Sequence, residues 1–299
     1  FTMHSEYKCV HSHMNDMSGY ILWIGAKAQI PIRIAHSHIA YPKTDNLRQF
    51  VWWFGRKLIS RSSNTVLGCS SDAIIYLTGL EPDNLKRIIL KNAIDIKKFA
   101  FNEKIRTQVR SNFNADQETL IIGNVARFDE QKNHQFILKI FQEVLSRNDN
   151  AMLILIGNGS LFVRIKEEAG KLGIESKISF LGIRNDVHKL LNAMDVFLLP
   201  SQFEGLGIVL VEAQANGLPC VASDTIPAEV DMNAGLMTFF SLNANAKSWS
   251  KIILKANRSE FTNDPQISAK EAGYDIHEVA TWLQEFYSKK TNFNHVVPR

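Results

Sequence analysis

The spacing of two glutamates around a glycine-containing loop is the feature of this sequence that best suits the binding of a ligand. Glu204 lies in the run Pro200-Ser201-Gln202-Phe203-Glu204-Gly205-Leu206-Gly207, and Glu212 follows Gly207 by five residues. A helix that starts after Gly207 would let the N–H groups of Gly205, Leu206 and Gly207 face a diphosphate. Because carboxylates accept hydrogen bonds from hydroxyls, the two glutamates suit a sugar nucleotide. The alternative is that Glu212 only caps or pairs on its helix.

Arg127 and Lys132 form a second candidate site, for an anion. They follow the strand-like run Gly123-Asn124-Val125-Ala126, and we expect a helix to begin near Asn133. A guanidinium can hold phosphate oxygens bidentately, an ammonium acts as a point charge, and N–H groups at a helix start add to both. The alternative is a solvated loop that carries two surface charges.

A pair of glycines, Gly157 and Gly159, follows another apolar strand-like run. Glycine permits a tight turn or the close approach of a ligand. The pair lacks the full glycine pattern of dinucleotide-binding proteins, so it argues only weakly for a nicotinamide cofactor. The alternative is an ordinary strand-to-helix turn.

Two His-Ser-His runs supply the remaining candidates, His11 with His13 and His36 with His38. Histidines at positions i and i+2 share one face of a strand or straddle its end. For each pair the alternative is a structural histidine whose polar atoms are satisfied within the protein. Because no cysteine or carboxylate stands at metal-ligand spacing from His11 and His13, we predict no metal site.

The elements that must position these residues alternate along the chain. Apolar runs predict strands at Tyr7–His11, Ile32–His36, Thr65–Cys69, Arg87–Leu90, Leu120–Val125, Met152–Ile156, Ile178–Leu181, Val196–Leu199, Cys220–Ala222 and Leu236–Phe240. Helical periodicity predicts helices at Ser18–Ala28, Asn46–Ser60, Asp72–Leu77, His134–Leu145, Leu161–Leu172, Val187–Asn192, Gly207–Ala215, Ala246–Lys255 and Ile276–Tyr287. This alternation predicts an α/β protein of parallel sheets with helices on both faces. Such sheets bind ligands at the carboxyl ends of their strands, which most of the candidates follow.

Composition and charge limit the classes of protein that fit. The 299 residues are 45% hydrophobic and 21% charged, which excludes collagen-like and disordered chains and suggests two domains. Residues 1–115 contain 16 Lys and Arg against 8 Asp and Glu, whereas the remainder is mildly acidic. No apolar run is long enough to span a membrane and no signal peptide is recognised, so we expect a cytoplasmic protein at the inner face of the cell membrane.

The segment Asp45–Arg61 is a candidate for contact with an anionic membrane. Trp52 and Trp53 fall beside Arg48 and Arg56, and cations with indoles on an outer helix face suit a membrane interface. The packed face of the helix is predicted to carry Leu47, Phe50, Val51, Phe54 and Leu58. The alternative is a domain-packing surface. Nucleic acid is not expected, because no base-reading module accompanies the basic segment.

Taken together, these motifs resemble those of the retaining GT-B glycosyltransferases of family 4. The resemblance covers nearly the whole chain and rests on the spacing of Glu204 and Glu212, the Arg127…Lys132 loop and the segment Lys91-Asn92-Ala93-Ile94-Asp95. The two His-Ser-His runs point to the bacterial exopolysaccharide and capsule branch. The resemblance implies two Rossmann-like domains facing a cleft. The first is 1–96 with helix 275–299 packed back on it and lacks its N-terminal segment, and the second is 97–274, which binds the nucleotide sugar.

The resemblance also implies a reaction and assigns roles. A sugar, expected to come from a UDP-sugar, passes with retention of configuration to a lipid-linked or polysaccharide acceptor, without a cofactor or metal ion. Arg127 and Lys132 would bind the diphosphate, Glu212 the ribose and Glu204 the donor sugar, while His36 or His38 would face the donor. The remaining donor-binding candidates are Gly123, Gly157, Gly182, Arg184, Gly205, Leu206 and Gly207.

Two other functions fit the same resemblance. One is a nucleotide-sugar epimerase of the GT-B fold, against which the Arg127…Lys132 loop and the glutamate pair argue. The other is a truncated module that binds sugar nucleotide without turnover.

Overall fold

The computed structural model describes residues 6–39, 46–83, 86–256, 258 and 262–293, without the side chains of 46–51 and 290–293. The strands are β1 (Cys9–Ser12), β2 (Ile32–Ser37), β3 (Thr65–Gly68), β4 (Arg87–Ile89), β5 (Leu120–Val125), β6 (Ala151–Ile156), β7 (Ile178–Phe180), β8 (Val196–Leu199), β9 (Cys220–Ser223) and β10 (Met237–Phe240). The helices are α1 (Ser18–Lys27), α2 (Asn46–Ser62), α3 (Ser71–Thr78), α4 (Ile96–Phe99), α5 (Glu103–Ser111), α6 (His134–Leu145), α7 (Phe162–Lys171), α8 (Val187–Ala193), α9 (Ile208–Ala215), α10 (Ala246–Ile253), α11 (Pro265–Glu271) and α12 (Ile276–Phe293).

The strands form two parallel sheets, which confirms the predicted α/β architecture. The first has the order β1-β2-β3-β4 and the second the order β10-β9-β8-β5-β6-β7. Each predicted strand is present with ends that shift by at most two residues. The sequence analysis missed three helices, α4, α5 and α11.

The chain divides into two compact units. The first comprises Phe1–Ala93, Glu204–Leu206 and Asp275–Arg299, and the second comprises Ile94–Phe203 and Gly207–Tyr274. The short segment Glu204–Leu206 therefore groups with the first unit although its neighbours in the chain belong to the second. No helix in the described part of the chain is long and apolar enough to cross a membrane.

The first sheet is covered on both faces by helices. On one face, residues of α1, α2 and α3 pack on a cluster that includes Val10, Ala35 and Val66. On the other face, α12 packs its apolar side on Ile32, Ile34, Leu67 and Leu90 through Val279, Leu283, Phe286 and Tyr287. These four positions of α12 follow the spacing of one helix face. The final helix thus belongs to the core of the first unit.

The side chains of α2 differ in one respect from the sequence prediction. Phe54 was expected on the packed face, but it is 51% exposed, and Ile59 is the buried residue of that region. The helix faces α1 through a close glycine contact, since a Cβ on Gly19 would lie 2.4 Å from the carbonyl oxygen of Gly55. This approach fixes the rotation of α2 and leaves Trp53 and Phe54 on its outer side.

The second sheet reverses its strand order beside β5. The chain runs outward through β6 and β7, then returns to place β8 on the opposite side of β5. Ligands of open parallel sheets bind outside the carboxyl ends of the strands at such a reversal. The loops that follow β5 and β8 are therefore the places to look for a binding site in this unit.

Candidate functional site

The loop after β5 carries Arg127 and Lys132 and is shaped by Asp129. Arg127 Nε donates to Asp129 Oδ2 at 2.8 Å, and the backbone N–H of Lys132 donates to Asp129 Oδ1 at 3.2 Å. Asn133 then adopts a left-handed conformation, with φ of +56°, and α6 begins at His134. The Arg127 side chain is 74% exposed, so its cationic end can meet a ligand.

Three hydrogen bonds join the loop after β5 to the loop after β8. Gln131 Nε2 donates to the carbonyl oxygen of Phe203 at 2.8 Å, and the N–H of Gln202 donates back to the carbonyl oxygen of Gln131 at 2.8 Å. Asn133 Nδ2 donates to the carbonyl oxygen of Pro200 at 3.2 Å. The structure therefore brings together two loops that lie some seventy residues apart in the sequence.

The glycines of the loop after β6 brace the Arg127 loop from its other side. A Cβ on Gly157 would lie 2.0 Å from the carbonyl oxygen of Ala126, and a Cβ on Gly159 would lie 2.4 Å from that of Phe128. The N–H of Phe128 donates to the carbonyl oxygen of Asn158 at 3.0 Å. Close approach of one backbone to another therefore accounts for these two glycines, which were expected to serve a tight turn or a ligand.

Gly123 has a packing role of the same kind. It lies inside β5, fully flanked by buried residues, and a Cβ there would lie 1.9 Å from the Met194 sulfur. The sequence analysis placed Gly123 among the donor-binding residues. In the structure its missing side chain makes room for Met194, so the glycine requires no ligand to explain it.

The start of α9 presents backbone donors without a side-chain cap. Gly207 is the residue before the helix, with φ of +84°, and as a glycine it supplies no side-chain cap to the first turn. Such a helix start attracts anions, because its first N–H groups have no acceptor within the helix. Glu212 lies on the same helix and is half-buried. Burial raises the pKa of Glu212 to about 7, although the nearby Lys98 opposes the shift.

The residues Glu204, Gly205 and Leu206 are held within the first unit. Ser70 Oγ donates to the carbonyl oxygen of Gly205 at 2.8 Å, and a Cβ on Gly205 would lie 2.2 Å from the carbonyl oxygen of His38. Glu204 is 8% exposed and Leu206 is buried. Gly205 is thus required by the close passage of this segment beside the end of β2.

Of the candidate residues after β7, Arg184 is exposed and Gly182 is half-buried. Arg184 donates twice to the Asp186 carboxylate, at 2.8 and 2.7 Å, and this pairing lowers the pKa of Asp186. Gly182 has φ of +63°, with open space where a Cβ would stand, and its carbonyl oxygen accepts from the Gly157 N–H at 2.8 Å. This hydrogen bond joins the loop after β7 to the loop after β6.

The structure gathers all four histidines of the two His-Ser-His runs. His11 Nε2 lies 3.1 Å from His36 Nδ1, and His13 Nδ1 lies 2.8 Å from His38 Nε2. His11 Nδ1 also lies 2.5 Å from the hydroxyl of Tyr287. Burial and the neighbouring imidazoles lower the pKa of His11 to about 4 and that of His36 to about 2.

The gathering adds a fact that the sequence argument about a metal site did not include. A metal site was not expected, because no cysteine or carboxylate had suitable spacing from His11 and His13. In the structure the third imidazole comes from the neighbouring strand, and ring nitrogens of His11, His13 and His36 lie within 4.8 Å of one another. The parallel register of β1 and β2, which pairs His11 with Ile34, is what aligns the two runs.

A buried histidine beside the Arg127 loop was not identified from the sequence. His134 is 1% exposed and stacks on Phe128, with ring centroids 4.0 Å apart. Neither of its ring nitrogens has a hydrogen-bond partner among the described residues. Burial lowers the pKa of His134 to about 4, so the ring is neutral at pH 7. In the sequence, the available indication of this histidine was that His134 is the first residue of a predicted helix.

Comparison with known proteins supplies a family. Residues 105–272 match the family described as Glycosyl transferases group 1. The putative glycosyltransferase EpsF of Bacillus subtilis is 35% identical over 97% of this chain and 77% of its own length. The capsular polysaccharide biosynthesis glycosyltransferase CapH of Staphylococcus aureus is 26% identical over 94% of this chain and 77% of its own length.

A solved structure shares the fold. The Anabaena protein Alr3699/HepE, crystallised with UDP and glucose, superposes with a TM-score of 0.81 at 18% identity. The match covers 96% of this chain and 79% of the Anabaena protein. This likeness and the two parallel sheets confirm the GT-B fold that the sequence predicted. The epimerase alternative gains no support, because the family and both relatives are described as glycosyltransferases.

Proposed function

The chain belongs to the glycosyl transferases group 1 family, and we propose that it transfers a sugar from a UDP-sugar, with retention of configuration, in the biosynthesis of an extracellular or capsular polysaccharide. The observation that carries the proposal is the joined pair of loops at the strand-order reversal of the second unit. These loops combine Arg127 and Lys132 with the uncapped start of α9. CapH is named for capsular polysaccharide biosynthesis and the Anabaena protein was crystallised with UDP, which supports the same class of product and donor.

The positive groups of this site suit the leaving diphosphate. As the bond to the sugar breaks, negative charge grows on the diphosphate, and preorganised donors and cations stabilise it. Arg127 supplies a bidentate guanidinium, Lys132 a point charge and α9 its first N–H groups. We propose that these groups supply the positive charge for the reaction, so that transfer requires neither a metal ion nor a cofactor.

The carboxylates suit the hydroxyls of the donor. Glu212 lies one turn into α9, where a deprotonated carboxylate can accept two hydrogen bonds from a ribose. We assign Glu204 to the donor sugar, Gly182 and Arg184 to the base, and His36 or His38 to the reacting end of the donor. A buried neutral imidazole such as His36 can accept a hydrogen bond from a sugar hydroxyl without carrying charge itself.

The acceptor is proposed to be a growing polysaccharide or a lipid-linked sugar that α1 and α2 meet at a membrane. Trp23 of α1 is 41% exposed, while Trp53 and Phe54 of α2 are 52% and 51% exposed. Lys27 lies 5.8 Å from the Trp23 ring and Lys57 lies 4.9 Å from the Trp53 ring. Exposed indoles beside cations suit an anionic membrane surface. Arg48, which the sequence analysis included, has no described side chain.

The decisive experiment is a transfer assay on wild-type protein and on Arg127→Ala. Purified chain is incubated with radiolabelled UDP-sugars and a membrane extract or a lipid-diphosphate-linked sugar, and labelled acceptor is counted. We expect Arg127→Ala to lower transfer about a hundredfold or more, because it removes a preorganised positive donor. The control is Lys171→Ala on α7, an exposed cation of the same unit, which should retain activity.

Calorimetry with UDP and product analysis separate the alternatives. UDP binding without any labelled acceptor would support the binding-module alternative and overturn the transfer proposal. Epimerised free sugar would overturn it as well. Inversion at the anomeric carbon of the product, read by NMR, would overturn retention alone.

A further inference from the structure

The ends of β1 and β2 hold a cluster of imidazoles that the proposed transfer only partly uses. The cluster consists of His11, His13, His36 and His38, and the centroids of its neighbouring rings lie 4.2 to 5.2 Å apart. The transfer proposal assigns His36 and His38 but gives no role to His11 and His13. We propose that His11, His13 and His36 bind one divalent transition-metal ion of the Zn²⁺ class.

The separation of the ring nitrogens suits a shared ion. Two nitrogen ligands of a tetrahedral Zn²⁺ at about 2.1 Å lie roughly 3.4 Å from each other. His11 Nε2 and His36 Nδ1 already lie 3.1 Å apart. The ring nitrogens of His11, His13 and His36 lie within 4.8 Å of one another, so no pair must close by more than roughly 1.4 Å. His13 is exposed and stands just beyond β1. Its side chain can turn there, and an ion can enter the cluster from this exposed side.

Tyr287 orients the first of the three ligands. Its hydroxyl lies 2.5 Å from His11 Nδ1, the ring nitrogen that faces away from His36. Histidine ligands of metals regularly bond an oxygen through their remote nitrogen, which fixes the ring and directs the other nitrogen at the ion. Tyr287 packs on the first sheet through α12, so the body of the fold holds this oxygen in place.

The chemistry of the cluster selects the kind of ion. Imidazole nitrogens suit Zn²⁺, Co²⁺, Ni²⁺ and Cu²⁺, whereas Mg²⁺ and Ca²⁺ require oxygen ligands. Three protein ligands leave one tetrahedral position for water. The site uses no residue of the Arg127 and Lys132 loop. With His36 bound to the ion, His38 is the imidazole that faces the donor in the proposed transfer.

The test is direct metal binding to the full, untagged chain after removal of metal with a chelator. We expect Zn²⁺ titration in a calorimeter to show one ion per chain, Co²⁺ to give the visible absorption of tetrahedral nitrogen coordination, and Mg²⁺ to give no binding. His13→Ala should weaken Zn²⁺ binding by about a hundredfold or more, since it removes a ligand. Tyr287→Phe should weaken binding about ten- to a hundredfold, the usual effect of losing such an outer partner.

The matched control is His277→Ala, an exposed histidine on the same helix as Tyr287. Its affinity for Zn²⁺ should equal that of wild type. Absence of stoichiometric Zn²⁺ binding, or equal affinity in His13→Ala and wild type, would overturn the proposal. Circular dichroism checks the fold of each variant, and Tyr287→Phe with the Co²⁺ spectrum decides the matter if His13→Ala does not fold.

Discussion

Glu212→Gln should stabilise the protein at alkaline pH and leave its stability unchanged at acid pH. Burial on α9 raises the pKa of Glu212 from 4.5 to about 7, with Lys98 as the opposing influence. A carboxyl whose pKa is raised on folding contributes stability that is fully present below its unfolded pKa and is lost as the pH rises through the folded pKa. The loss therefore falls between about pH 5 and pH 8.

The size of the effect follows from the shift. A difference of 2.5 pKa units from the ordinary value corresponds to about 3 kcal/mol of unfolding free energy at pH 8. Glutamine is neutral at every pH, so Glu212→Gln should keep the stability that wild type loses. Urea unfolding of both proteins at pH 5, 6, 7 and 8 measures the difference, with Glu167→Gln, an exposed glutamate on α7, as the control.

The same shift predicts how UDP binding depends on pH. If the ribose hydroxyls need a deprotonated Glu212, affinity should fall up to about tenfold for each pH unit below 7, and Glu212→Gln should bind weakly at every pH. A constant difference in stability between Glu212→Gln and wild type from pH 5 to 8 would refute the burial argument. A pH-independent affinity for UDP would instead refute the assignment of Glu212 to the donor.

Two further predictions concern the glycine brace and the membrane surface. Gly157→Ala should lower unfolding stability by about 2 kcal/mol or more and weaken UDP binding, because its Cβ would meet the Ala126 carbonyl at 2.0 Å and its φ is +135°. Gly173→Ala, with φ of +71° but open space around it, is the control in urea unfolding and UDP calorimetry, and equal losses in both variants would contradict the brace. Trp23→Ala and Trp53→Ala should each reduce co-sedimentation with phosphatidylserine vesicles at low salt, whereas unchanged sedimentation, or none in wild type, would contradict membrane contact.

The strands of both sheets were readable from the sequence because burial on two faces leaves continuous apolar runs. Leu153-Ile154-Leu155-Ile156 in β6 is an example, and all four residues are buried. The helix α5 was missed for the opposite reason. It is strongly polar, and only Ile105 and Val109 repeat at helical spacing.

The missed helix is held by charge instead of apolar area. Arg106 and Arg110 both reach the Asp195 carboxylate, Arg110 at 3.1 Å with only 4% of its side chain exposed. The periodicity of hydrophobic residues cannot reveal a helix that is held in place by ion pairs. For α11 an indication did exist, since Asp264 caps the helix and Pro265 opens it, a standard helix-start pattern.

The candidate site was predictable only in part, because the type of a residue does not show which residues lie near it in the folded protein. The sequence indicated Arg127 and Lys132 correctly as loop residues after a strand. It could not show that Gln131 and Asn133 bind the loop that begins at Pro200. The histidine runs were also visible, but their meeting depends on the order and register of two strands, which short-range spacing does not encode.

The glycines after β6 help to explain how the proposed anion site is built. Sequence reasoning assigned Gly157 to the donor, and the structure adds that the backbone of Ala126 passes where its side chain would stand. Parallel strands end side by side, so the loops after β6, β5 and β8 form three successive layers joined by backbone contacts. The position of Arg127 is then set by the layers on either side of it. Selection for anion binding would act on Gly157 and Gly159 through the shape of the Arg127 loop, even without any contact between those glycines and the ligand.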